Sequence, residues 1–130
     1  MGILGVGTDT IEIARIADVL ARRPRFAERC FTSAERDYCA SRPTPAQHFA
    51  VRFAAKEAVG KALGVGITRW HDVEIHRSGG RPSIILSGKV AEQAERLGVY
   101  TVFISMSHSR TDAVAVAVAD GAGSMSLLAG

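Results

Sequence analysis

The stretch from residue 44 to 64, TPAQHFAVRFAAKEAVGKALG, constrains the fold most, because it reads as one long helix with both ends marked. Thr44 is placed to cap the start, Pro45 suits the first helical position, and Gln47 completes a capping-box pattern. Gly64 supplies a left-handed stop. At about 3.6 residues per turn, Val51, Ala54, Ala55, Ala58, Val59 and Ala62 share an apolar arc that faces a core. Glu57 and Lys61 lie four apart beside one edge of that arc, and Arg52 and Lys56 flank the other. Gly60 leaves bare backbone between the two pairs, where a ligand could approach. A carboxylate, three cations and a gap suit a metal with a polyanion. The same residues also fit ordinary Glu–Lys pairing beside a solvated basic face.

A chain of 130 residues is one domain with room for a real core. No apolar run approaches the roughly 20 residues of a membrane span, and no secretory signal is visible. Cys30 and Cys39 form no CxxC, which argues against a structural zinc site and fits a reducing cytoplasm. The net charge of +3 favours acidic partners, and Arg15, Arg22, Arg23, Arg25, Arg29 and Arg36 crowd the first third of the chain. Nucleic acid is one candidate partner, although aromatics are scarce at 6% and no RNP, KH or zinc-finger pattern is present; an acidic protein surface is the other.

Upstream of the helix, residues 3–6 predict a short buried strand, followed by Thr8, Asp9 and Thr10. Helical spacing then runs over 11–21. Asp9 with Glu12 three later is a capping pattern, so an N-cap is one reading of Asp9, worth about 1 kcal/mol. A carboxylate held where a strand meets a helix is the other, with Gly5 and Gly7 leaving room for a ligand. Phe26 and Phe31 are expected core contacts around a short helix, and Thr32 to Glu35 is a second capping box. Beyond the helix, Trp70 is a packing anchor rather than a base-stacking platform. Strands are predicted over 72–76 and 83–86 as a hairpin, with Gly80 and Pro82 in its turn. Ser87 and Gly98 bracket a helix, and strands follow over 100–106 and 113–119, the last buried on both faces. Between those strands Ser107, His108, Ser109 and Arg110 offer donors that suit a phosphate. Residues 120–130 predict a flexible tail after a single domain over 1–119. The expected class is α+β, a small, mostly antiparallel sheet packed against the long central helix.

The order of these pieces resembles one family. G-V-G-T-D ends at Asp9 and Arg15 follows; F-A-E-R at Phe26 precedes Thr32 and Glu35. R-F-A-A-K-E-A-V-G-K-A-L-G runs from Arg52 to Gly64; Trp70, G-R-P ending at Pro82, and S-M-S-H ending at His108 complete the set. The set resembles the bacterial holo-[acyl-carrier-protein] synthases, small 4′-phosphopantetheinyl transferases. The resemblance implies a trimeric, magnesium-dependent, cytoplasmic enzyme of fatty acid biosynthesis. Such an enzyme moves phosphopantetheine from coenzyme A to a serine of apo acyl carrier protein and releases adenosine 3′,5′-bisphosphate. It implies Asp9 and Glu57 as metal ligands, Glu57 as the proton acceptor directly or through a metal-bound water, and Lys61 at the phosphates. Arg52 and His108 are implied at the 3′-phosphate, with Ser107 and Gly64 also binding coenzyme A and the Gly80 and Pro82 turn at the adenine. Arg15, Arg22 and Arg25 are implied to face the acidic carrier, and neither membrane nor nucleic acid is implied. A basic polyanion-binding module and a magnesium-dependent phosphohydrolase are the rival readings; the first leaves Asp9 and Glu57 without a purpose.

Overall fold

A computed structural model describes residues 2–77 and 79–121. Strand β1 (Gly2–Glu12) leads into α1 (Ile13–Arg22), α2 (Phe26–Cys30) and α3 (Ser33–Ala40). Helix α4 (Pro45–Leu63) follows, then a 3-10 turn (Trp70–Asp72) and the β2 (Val73–His76) and β3 (Ser83–Leu86) hairpin. Helix α5 (Gly88–Leu97) and strands β4 (Val99–His108) and β5 (Asp112–Gly121) complete the chain. β5 lies between β1 and β4, antiparallel to both, and β2–β3 is a separate pair. The class is α+β with antiparallel sheets, as the sequence predicts. No described helix is long and apolar enough to cross a membrane.

Small residues decide how closely α4 meets the sheet. Ala54, Ala55, Ala58 and Ala62 of α4 share a core with Ala115, Ala117 and Ala119 of β5, all nearly or fully buried. A Cβ on Gly5 would stand 1.9 Å from the Ala62 carbonyl oxygen, and one on Gly7 would stand 2.0 Å from that of Ala58. No ordinary contact is that short, so β1 lies on α4 only because both residues are glycine. These glycines admit the helix, not a ligand as the sequence suggested. Gly60 is likewise filled from within: Val65 O stands 2.8 Å from its notional Cβ, and Val65 N–H caps Gly60 O at 2.9 Å.

Four further expectations change. β1 runs to Glu12 rather than stopping at residue 6, because β5 pairs with it throughout. The same pairing carries β5 to Gly121, so residues 120 and 121 belong to the sheet; the expected tail from 122 onward lies outside the described residues. β5 is buried on its alanine face alone: Val114 is 39% exposed, Val116 and Val118 are half-buried. Thr44 makes no side-chain cap, its backbone (φ −127°, ψ 81°) being held by Pro45 at the first position, while Gly64 takes the left-handed stop at φ 67° as expected.

Arg52 and Lys56 are buried rather than solvated, at 2% and 0% exposed. Helical periodicity put them at the edge of the arc, but residues before and after α4 cover that edge. Phe31 and Phe49, with ring centroids 4.9 Å apart, and Phe53 and Trp70, also 4.9 Å apart, build a second core there. Lys56 pairs with Glu35 of the α3 capping box at 2.9 Å, both side chains fully buried.

Candidate active site

Asp9 sits within β1 opposite Ala115, and the N-cap position of α1 is Glu12, with no side-chain cap, so the capping reading of Asp9 does not hold. Its carboxylate is free for another role. Lys61 Nζ, reaching over from α4, donates to Asp9 Oδ1 at 3.0 Å and to Thr8 O at 2.9 Å. The glycine contact explains the pairing: Lys61 Cβ stands 2.9 Å from the notional Cβ of Gly7, two residues before Asp9. Lys61 therefore bonds to the strand.

Glu57 lies one turn earlier on α4. Partial burial pushes its carboxyl above the usual glutamate range, and the Asp9 charge adds to that; Lys61 and Arg15 oppose it. Two carboxylates on different elements thus repel each other across a site holding two cations. Added positive charge relieves that repulsion, and an oxygen-only donor set of two carboxylates suits magnesium, which takes its remaining ligands from waters and phosphates. Among the described residues no group of three or more His, Cys, Asp or Glu side chains stands together, so a closed protein cage is not what this pair offers.

Glu57, Lys61 and Gly64 open onto a groove of about 540 Å³ walled by Val65, Ile67 and Trp70. The apolar wall is the part the sequence did not mark, since a short loop leaves no periodic signal. Trp70 is the packing anchor expected, its ring against Phe53.

The other expected groups sit elsewhere on the chain. His108 ends β4, exposed, and with Ser109 and Arg110 faces residues 43–47 across a groove of about 780 Å³. Ser107 is an exposed position of the same strand. Gly80 and Pro82 line a third groove, about 450 Å³, beside Phe103, Val116 and Val118. Arg52 is not presented to a ligand: its guanidinium lies 4.4 Å from the Tyr38 ring centroid and Nη1 donates to His48 O at 3.3 Å. Arg22 and Arg25 flank Pro24 and Phe26 in a basic groove of about 410 Å³ that Arg23 and Arg29 complete. Arg15 lies toward Glu57 instead, close enough for its charge to hold down the Glu57 pKa.

A family model described as the 4′-phosphopantetheinyl transferase superfamily matches residues 5–119. The chain belongs to that superfamily. Among its phosphopantetheinyl transferase relatives, the holo-[acyl-carrier-protein] synthase of Anaeromyxobacter dehalogenans strain 2CP-1 is 46% identical over 127 residues, covering 93% of this chain and 98% of that protein. The holo-[acyl-carrier-protein] synthase of Moorella thermoacetica is 46% identical over 121 residues, covering 91% and 94%. The crystal structure of a holo-(acyl-carrier-protein) synthase from Bacillus anthracis in complex with coenzyme A (3′,5′-ADP) superposes with a TM-score of 0.77. It is 34% identical and covers 94% of this chain and all of that one, at 100%.

Proposed function

We propose that the chain transfers the 4′-phosphopantetheine arm of coenzyme A to a serine of an apo acyl carrier protein. The serine Oγ–P bond forms, the diphosphate P–O bond breaks, and adenosine 3′,5′-bisphosphate leaves. The observation that carries this is the convergence of Asp9, Glu57 and Lys61 across the β1–α4 contact in a chain of this superfamily. Asp9 and Glu57 would hold magnesium, which would supply charge neutralisation at the diphosphate. Lys61 adds a cation toward the departing bisphosphate, and Glu57, with its raised pKa, is suited to take the serine proton. The role is a cytoplasmic one supporting fatty acid biosynthesis.

A homotrimer fits this reading. Val6 is 56% exposed, Phe103 45% and Val114 39%, and the pairings Val6–Val118 and Phe103–Val118 put them on the outer sheet face. An apolar face of this extent asks for a partner, here a second and third copy. The Gly80 and Pro82 groove borders that face, and on the trimer reading that turn and His108 serve a neighbour's site. Val116→Glu is expected to convert trimers to monomers in light scattering and to weaken coenzyme A binding. Monomers in the unaltered protein would remove the trimer.

Incubating apo carrier with coenzyme A and magnesium and weighing the carrier by mass spectrometry tests the activity. A phosphopantetheine mass gain is expected; bisphosphate release without carrier would favour the phosphohydrolase instead. Arg25→Glu is expected to raise the KM for carrier protein about tenfold with the coenzyme A KM unchanged. Equal change in both constants would place Arg25 outside the docking face. Arg15→Glu is the less selective variant, since it adds negative charge toward Glu57.

A further inference from the structure

Among the described residues, strand β2 pairs with β3 alone. Its register with β3, Val73 to Leu86 and Ile75 to Ile84, leaves the Val73 carbonyl and the Ile75 amide on the opposite edge. Side chains meet both. Ile75 N–H donates to Glu35 Oε2 at 2.8 Å, and Lys56 Nζ donates to Val73 O. The two side chains join each other at 2.9 Å, so a buried ion pair stands where a third strand would be. Lys56 spends its third proton on Trp70 O at 3.1 Å. Glu35 Oε1 also accepts from Thr32 N–H at 2.8 Å, and Thr32 Oγ1 donates to Glu74 of the same strand.

A two-stranded hairpin is marginal by itself. Apolar residues of equal volume would fill the space of Glu35 and Lys56, but they could not answer three directional backbone groups. What the pair adds is orientation. It holds the hairpin that carries Gly80 and Pro82, and it holds Trp70, the wall of the Glu57 groove, against α4. Lys56 and Glu57 are consecutive, so the residue that fixes the surroundings and the residue that faces the ligand leave the helix about 100° apart.

We propose that Glu35 and Lys56 are positioning residues for coenzyme A: capping the free edge of β2 and the Trp70 carbonyl aligns hairpin and groove wall with α4. This rests on the coenzyme A reading of those surfaces. The test uses the paired variant Glu35→Leu/Lys56→Met, which removes both charges together, with Glu35→Gln as the milder change should the pair fail to fold. Hydrogen exchange on the whole chain is expected to speed at Ile75 and around Trp70, with α4 and β5 unchanged. The coenzyme A KM is expected to rise about tenfold while kcat stays within about twofold. Unaltered exchange at Ile75 would overturn the clamp, and faster exchange with an unmoved KM would overturn its role in binding. If the parent chain itself fails to bind coenzyme A in the same titration, the function reading falls, and this inference with it. A binding parent with an indifferent variant removes this inference alone.

Discussion

Gly7→Ala is expected to lower stability by about 3 kcal/mol, the upper end of the usual overpacking range, although it adds one methyl group. The added carbon would stand 2.0 Å from Ala58 O and 2.7 Å from Ala62 N. Both neighbours are helix backbone, which cannot rotate aside as a side chain can. Either β1 leaves the helix or α4 shifts bodily, taking its alanine contacts with β5 along. Urea unfolding checks the size of the loss. Gly66→Ala is the control, since nothing lies within 4 Å of its notional Cβ and its φ is not positive. Equal midpoints for the two variants would mean that the close β1–α4 approach contributes little.

The same substitution reaches the site. Asp9 follows Gly7 on β1, and the Lys61 ammonium bonds to Asp9 and to the Thr8 carbonyl across that contact. Whatever Gly7→Ala protein still folds is therefore expected to bind magnesium more weakly than the parent, read by calorimetry on the folded fraction. Gly7 thus links packing directly to the placement of a carboxylate.

Much of this was legible in the chain. The Gly64 stop of α4, the hairpin, the Gly98 stop of α5 and the Thr32–Glu35 capping box follow from local chemistry, and the structure shows each of them, whereas the Thr44 cap is not made. Asp9 and Glu57 were legible as carboxylates in order, and the structure brings their charges within reach of each other. What failed was non-local. Periodicity gives the angle of Lys56 on its helix, but only tertiary packing says that α3 and β2 cover it. Glycines near a carboxylate suit a ligand or a helix equally well, and the helix occupies that space. Arg52 lies in a matched motif yet stacks on Tyr38, a contact no sequence spacing announces.

Glu57→Gln is expected to reduce transfer about a thousandfold, within the range for removing a proton acceptor, while leaving the fold intact. The side chain stands outside the apolar arc of α4, so nothing in the core depends on it. Its ionised form is disfavoured chiefly by partial burial and then by Asp9, so the neutral amide relieves strain rather than adding it. Thermal unfolding of the variant should therefore come no earlier than that of the parent. The pH dependence follows from the same shift. A carboxyl whose folded pKa is raised binds its proton more readily folded than unfolded, so the destabilisation is full above the raised pKa and relieved as pH falls through it. Activity runs the other way, because the acceptor must be ionised: kcat/KM is expected to fall with pH through a value above the usual glutamate range. Saturating magnesium favours the ionised form and should move that limb to lower pH. Retained activity in Glu57→Gln, or an acid limb indifferent to magnesium, would take Glu57 out of both the metal site and the proton transfer.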